Sequence, residues 1–136
     1  MNDNTRYLPF AGRVLIGAVF LMSGLGKLAA YGATTAMIAA AGLPLPPAAW
    51  LIAVVIEAGG GLLLLLGFRT RPVALILAAF ALATALSFHR NFADQNQMIH
   101  FLKNLIIAGG LLQIVHFGAG AVSLDNRSKA QASAVT

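Results

Sequence analysis

Apolar residues dominate four long stretches of the chain, and polar residues collect in the short segments between them. The stretches cover about residues 8–30, 46–67, 72–88 and 99–117. Each is close to the roughly 20 residues that an α-helix needs to cross the hydrocarbon core of a bilayer. None shows the alternation of apolar and polar residues that is typical of a β-strand. The pattern therefore predicts an all-α fold, a bundle of four membrane-spanning helices.

Two other segments are too short or too polar to span. Thr34 is suited to cap a short helix that runs through Ala41, and we expect this helix to lie along the membrane surface between the first and second spans. The last segment, residues 125–136, is polar and rich in small residues, which predicts disorder. The chain is therefore predicted to be one four-span domain over residues 1–124, followed by a disordered tail.

Composition supports a membrane protein and excludes other classes. Hydrophobic residues make up 59% of the 136 residues and charged residues 10%, whereas soluble domains average about 25% charged residues. The net charge is +5, but the basic residues are scattered near the ends of apolar stretches. This placement favours contact with the lipid bilayer over nucleic-acid binding. The chain has no cysteine, so it cannot itself exchange a disulfide or hold an iron–sulfur cluster.

The distribution of Lys and Arg predicts the orientation, because an even number of spans puts both termini on one side. That side would hold most of the basic residues, namely Arg6, Arg69, Arg71, Arg127 and Lys129. The other side would hold Lys27, Arg90 and Lys103. The positive-inside rule therefore predicts a multi-pass protein of the bacterial cytoplasmic membrane with both termini in the cytoplasm.

Glu57 carries the most chemical information, because it lies in the middle of the second stretch. A carboxylate at the bilayer centre costs about 3 kcal/mol or more, so it should face the bundle and have a partner, or be protonated. Arg13 and Lys27 are candidate partners on one face of the first helix, and the guanidinium of Arg13 is the better fit to a carboxylate. Lys27 has the alternative of extending to the membrane interface. Glu57 is thus either half of a structural ion pair or a proton- or ligand-binding group.

His100, Lys103 and Asn104 begin the fourth helix, and their spacing places them on neighbouring parts of one face. In the predicted orientation they lie on the same outer side as Lys27. With Glu57 as its floor, this arrangement suits a water-filled pocket for an anion or a polar head group. The alternative is that these residues only anchor the water-exposed ends of the helices at the membrane interface. No metal site is predicted, because no two histidines share a three- or four-residue spacing on one helix.

Three segments resemble the DoxX family of small bacterial membrane proteins. They are Arg13-x-x-x-Gly17-x-x-Phe20-x-x-Ser23-Gly24-x-x-Lys27-Leu28, then Glu57-x-x-Gly60-Gly61-Leu62-Leu63-Leu64-Leu65-Leu66-Gly67 with Arg69-Thr70-Arg71, and Phe101-x-Lys103-Asn104-Leu105. The ordered combination of the three carries the resemblance, which extends over about residues 6–118. It implies a four-helix bundle in the bacterial cytoplasmic membrane.

The resemblance also implies classes of function. Some members of the family are subunits of membrane oxidoreductases, including one that passes electrons from thiosulfate to quinone, and others associate with thiol- and superoxide-handling proteins. Many members have no assigned activity. A thiol-based role would need a partner to supply the sulfur chemistry, because this chain lacks cysteine.

Two functions therefore stay open. The first is an accessory subunit, not catalytic alone, that docks a membrane or periplasmic protein or a second copy of this chain. The second is a quinone- or anion-binding subunit of a membrane oxidoreductase, with its pocket around Glu57. Quinone is the one cofactor that these considerations suggest.

Overall fold

A computed structural model describes residues 3–134 as helices joined by short loops. A 3₁₀-helix, Asp3–Tyr7, leads into the first α-helix. In chain order the α-helices are α1 (Leu8–Ala29), α2 (Tyr31–Ala40), α3 (Pro46–Val54), α4 (Gly60–Leu66), α5 (Thr70–Phe88), α6 (Gln95–Phe117) and α7 (Leu124–Ala134). A π-helical turn, Val55–Gly59, joins α3 to α4 and makes one continuous helix of the two.

Four helical segments are long and apolar enough to cross a membrane, which confirms the predicted all-α four-span fold. These spans are Thr5–Ala29, Pro46–Leu66, Thr70–Phe88 and Gln95–Phe117. The fourth begins four residues earlier than the apolar pattern predicts. The reason is a capping contact: the side chain of Asp94 accepts hydrogen bonds from the backbone N–H groups of Asn96 and Gln97, at 2.8 and 3.3 Å.

The short helix between the first and second spans is present as α2, but Thr34 does not cap it. The helix begins at Tyr31, directly after Ala30. The ring of Tyr31 meets Trp50 edge to face at 4.8 Å, and the indole N–H of Trp50 donates to the carbonyl of Lys27 at 2.8 Å. These contacts tie the start of the second span to the end of the first. That α2 lies along the membrane surface stays a prediction.

The segment after the fourth span differs from the expected disorder. Over residues 124–134 it forms α7, and Asp125 ties this helix to the start of the third span. The carboxylate of Asp125 accepts hydrogen bonds from the backbone N–H groups of Arg69 and Thr70, at 2.8 and 2.9 Å. Amides at a helix start lack intrahelical partners and favour a negative charge, so this contact holds the tail against the bundle. This contact joins residues that are more than 50 positions apart in the sequence, so the composition of the tail does not predict it.

Small residues bring the first and second spans together. A Cβ added at Gly24 would lie 2.5 Å from the backbone nitrogen of Ala58, and one added at Gly61 would lie 2.6 Å from that of Leu21. Lipid is as apolar as the helix surfaces, so such close approach, with its van der Waals contact, is what drives the helices to associate. The third and fourth spans share the most extensive contact, whereas the first and fourth make little backbone contact. This leaves the bundle open between its first and fourth members.

We expect Gly24→Ala to destabilise the bundle by about 1–3 kcal/mol, because the added methyl group would overlap the backbone of the second span. Gly26→Ala is the matched control two residues away, since a Cβ at Gly26 meets nothing within 4 Å. That control should be neutral or stabilising by up to about 1 kcal/mol, because Ala favours helix more than Gly does. Thermal unfolding in detergent micelles measures both variants. Equal loss of stability in the two would contradict a tight contact at Gly24.

Candidate functional site

Glu57 lies at the centre of the π-helical turn of the second span. Its side chain faces the bundle interior, and the residue is 6% exposed. The residues one turn to either side, Ala53 and Gly61, are buried on the same face. Single π-helical turns within α-helices are frequent at functional sites. The π-helical backbone around Glu57 is therefore of a kind that often accompanies a functional residue.

A closed triangle of polar contacts surrounds the Glu57 carboxylate. The ammonium nitrogen of Lys27 lies 2.8 Å from Oε2 of Glu57. The hydroxyl of Ser23 donates to Oε1 of Glu57 at 2.9 Å, and Lys27 donates to Ser23 Oγ at 2.9 Å. Ser23 and Lys27 are one helical turn apart on the first span, so both reach the second span from the same face. Glu57 is thus paired, as a carboxylate within a membrane requires.

The preference for Arg13 as the partner of Glu57 is wrong. Arg13 is 1% exposed and donates all of its hydrogen bonds to backbone carbonyls. The acceptors are Leu64 at 2.7 Å, Leu65 at 3.1 Å, Ala119 at 2.9 Å and Val122. The last carbonyls of a helix lack the i+4 donors of its interior, and the second span ends here. The carbonyl of Leu64 also accepts from the backbone N–H of Gly67 at 3.2 Å, so Arg13 adds donors to a helix end that the backbone satisfies only in part. Arg13 is therefore a structural anchor at the other end of α4 from Glu57.

Two cavities meet at Glu57. The lateral cavity, of about 390 Å³, opens between the first, third and fourth spans. Its walls are apolar apart from one polar group of side chains, namely Ser23, Glu57, Thr84, His100, Lys103 and Asn104. The end cavity, of about 430 Å³, lies beneath α2 and is lined by Lys27 among others. Because Glu57 lines both cavities, its carboxylate stands between two spaces whose walls are mostly apolar.

The residues at the start of the fourth span contribute to these cavities in different ways. Asn104 lines both and donates from Nδ2 to the hydroxyl of Thr84 at 3.1 Å. Lys103 and His100 are exposed and line the lateral cavity. Within residues 3–134 Lys103 forms no ion pair, so its charge is available to a ligand. The ring of His100 stacks on that of His89 at 5.0 Å, an arrangement that connects the mouths of the two cavities.

The structure thus brings Lys27, Glu57, Lys103, Asn104 and His100 to the walls of the two cavities and leaves Arg13 out. Sequence reasoning missed the hydroxyl of Thr84, an ordinary residue for a membrane helix, and it included Ser23 in the first family segment without giving it a contact to Glu57. The signal for Ser23 was its position one turn before Lys27, on the face that Glu57 must meet. In the described part of the chain, no three His, Asp or Glu side chains lie close enough together to share a metal ion.

The fold and site define a class: a four-span membrane bundle in which a buried glutamate, paired with a lysine of the neighbouring span, lines two cavities. The DoxX family profile matches residues 8–90, and the chain belongs to that family. The matched residues include Lys27 and Glu57, whereas His100, Lys103 and Asn104 lie beyond them.

Two curated relatives resemble most of the chain. It is 41% identical to inner membrane protein YqjF of Escherichia coli strain K12 over 116 residues, which cover 83% of this chain and 85% of the relative. It is 37% identical to inner membrane protein YphA of the same strain over 125 residues, covering 88% and 89%. No solved structure matches. With its four apolar spans, the chain is a multi-pass inner membrane protein, and the side that holds its termini stays a prediction.

We expect Glu57→Leu to destabilise the bundle more than Glu57→Gln, by about 1–3 kcal/mol. Glutamine can still accept hydrogen bonds from Ser23 and Lys27, whereas leucine accepts none and leaves the Lys27 ammonium with the hydroxyl of Ser23 alone. Melting temperatures in detergent measure the difference. Val55→Leu, at a 60% exposed position of the same turn, controls for leucine itself. Equal melting of the two Glu57 variants would contradict a stabilising polar network.

The contact between the tail and the bundle should depend on pH. Burial raises the pKa of Asp125, but the hydrogen bonds from Thr70 and Arg69 and the charge of Lys129 outweigh it and hold the pKa below its usual value. A carboxylate of this kind stabilises the fold above its unfolded pKa of about 4, and the stabilisation is lost as the pH falls through the lower folded pKa. Asp125→Asn should therefore be less stable than the wild type at pH 7, with the gap closing in acid. A gap in melting temperature that stays constant with pH would contradict this assignment.

Proposed function

We propose that this DoxX-family chain is the ligand-binding subunit of a membrane oxidoreductase and takes a membrane-soluble quinone in the lateral cavity around Glu57. The observation that carries the proposal is the position of Glu57, which pairs with Lys27 and yet lines both the lateral cavity and the end cavity instead of being enclosed by packed side chains. A pair that only stabilised the fold would not need a carboxylate at the wall of two cavities.

The lateral cavity has the character of a small-molecule site. Its volume of about 390 Å³ lies within the usual range for ligand pockets, and its walls are mostly apolar with a few convergent polar groups. Leu15 and Val19, which line it, are 72% and 59% exposed on the outer surface of the first span. The cavity therefore opens toward lipid, from which a molecule with an apolar tail can enter.

The polar groups suit a quinone head, whose two carbonyl oxygens accept hydrogen bonds. Lys103 has an ammonium group without an ion-pair partner in residues 3–134, and Asn104 has a side-chain amide on the same wall. Reduction of a quinone to a quinol takes two electrons and two protons. A redox partner protein supplies the electrons in this proposal. Glu57 exchanges protons between the head group in the lateral cavity and the end cavity, which is the role of a general acid–base group.

A second candidate is an accessory subunit whose role is to dock a protein partner and stabilise a complex. One observation favours it: both carboxylate oxygens of Glu57 are already engaged, by Lys27 and by Ser23. In this account the polar triangle fixes the first span on the second, and the cavities hold lipid chains.

Filling the lateral cavity separates the two candidates. Ile107 lines this cavity, whereas its neighbour Ile106 is 74% exposed and points away from the bundle. A short-chain ubiquinone at 100 times its Kd should stabilise the wild type by about 2.7 kcal/mol. Ile106→Trp should respond in the same way and Ile107→Trp should not respond, because the indole occupies the site.

The measurement is the shift of the melting temperature in detergent, with and without the quinone. Glu57→Gln, which removes the acid but keeps the shape of the side chain, should bind quinone and lose proton exchange with it. Equal quinone stabilisation of the two tryptophan variants would place the ligand elsewhere. Absence of any shift in the wild type, together with co-purification of a protein partner, would establish the accessory role.

A further inference from the structure

A third cavity lies at the opposite end of the bundle from Lys27, beside α7. We call it the basic cavity; it has a volume of about 580 Å³ and lies between the start of the third span, the end of the fourth and α7. Three cationic side chains line it, those of Arg69, Arg71 and Lys129. The apolar side chains at its margin include Phe68 and Phe117. It shares no lining residue with the two cavities at Glu57.

The charges of the basic cavity are not balanced within the described chain. Against the three cations it has one acidic group, Asp125, which leaves a formal charge of three minus one, or +2. The carboxylate oxygens of Asp125 are engaged by the backbone amides of Arg69 and Thr70. None of the three cations forms an ion pair within residues 3–134. The cavity therefore has unmatched positive charge that a bound anion would neutralise.

The walls of the cavity are held in place without a ligand. The loop after the fourth span bends at Gly118, with a φ of 83°, where it passes beside the guanidinium group of Arg71. Arg13 binds the carbonyls of Ala119 and Val122 in the same loop. A Cβ at Gly120 would lie 2.7 Å from the Pro9 side chain, so the loop is packed closely on the first span. A ligand therefore meets a preformed site and loses little affinity to ordering it.

We propose that the basic cavity binds a phosphate group, presented by an anionic phospholipid of the adjacent leaflet. The planar fork of an arginine matches phosphate geometry, and basic pockets between the ends of membrane helices bind lipid head groups. The cavity lies at the ends of two spans, which is the depth at which a bilayer carries its phosphates. Phe117 is 73% exposed and Phe68 42% exposed at its margin, where the acyl chains of such a lipid would run.

The test uses the full chain in nanodiscs or detergent and native mass spectrometry of retained lipid. Wild type should retain added phosphatidylglycerol or cardiolipin in preference to phosphatidylcholine. The double variant Arg71→Gln, Lys129→Gln should bind the anionic lipids about thirtyfold more weakly, the effect of two cationic charges near a membrane surface. Arg90→Gln is the matched control, because Arg90 is an exposed arginine in the loop between the third and fourth spans. It should leave retention unchanged.

A competition experiment with inorganic phosphate distinguishes a phospholipid head group from a free phosphate as the ligand. Displacement of the lipid only by another anionic lipid supports a phospholipid site. Displacement of the lipid by millimolar inorganic phosphate would support a phosphate-binding site but contradict a phospholipid as its ligand. Melting temperatures confirm that the double variant is folded, which is expected because both side chains are exposed. Equal retention of anionic lipid by the wild type and the folded double variant would overturn the proposal, whatever the quinone experiment shows.

Discussion

The structure depends on one constraint: an ionised side chain placed inside a lipid-embedded bundle must find its partners within the protein. The chain meets this requirement twice, and each time it joins the first span to the second. Arg13 closes the end of the second span by binding its last carbonyls, and Lys27 meets Glu57 in the middle of that span. Breaking either contact would leave a charge or a set of carbonyls without a partner where water is scarce. The relative position of these two helices is therefore strongly determined.

The same constraint explains why cavities form where they do. Glycines and polar contacts hold the first span on the second, and close apolar packing holds the third on the fourth. The backbones of the first and fourth spans stay apart, so the lateral cavity opens along that side. Near the start of the fourth span, Lys103 then lines this space without an ion-pair partner in residues 3–134, and Asn104 lines it while donating to Thr84 of the third span. The candidate site is thus a consequence of which pairs of helices are fixed and which are not.

The sequence predicts the features that depend on neighbouring residues, and it does not predict those that depend on contacts between distant segments. Span lengths follow from local hydropathy, and the pairing of Glu57 follows from the cost of a lone carboxylate in lipid. The sequence does not decide which of Arg13 and Lys27 pairs with Glu57. Helical spacing places both on one face of the first span and does not show which other acceptors each one meets. The carbonyls at the end of the second span, and those of the loop after the fourth, compete for Arg13. The Asp125 contact and the cavities likewise depend on proximities that no single segment contains.

The way the two cations are divided between these tasks has a chemical consequence. An arginine stays charged in every protein environment, so Arg13 gives the carbonyls around it a permanent positive partner. Arg13 lines none of the three cavities described above, whereas Glu57 lines two of them. The cation that binds backbone carbonyls therefore holds the ends of the spans in place and is closed to a ligand. The contact between Lys27 and Glu57 joins the same two spans but leaves the carboxylate at the wall of both cavities, where a ligand can reach it.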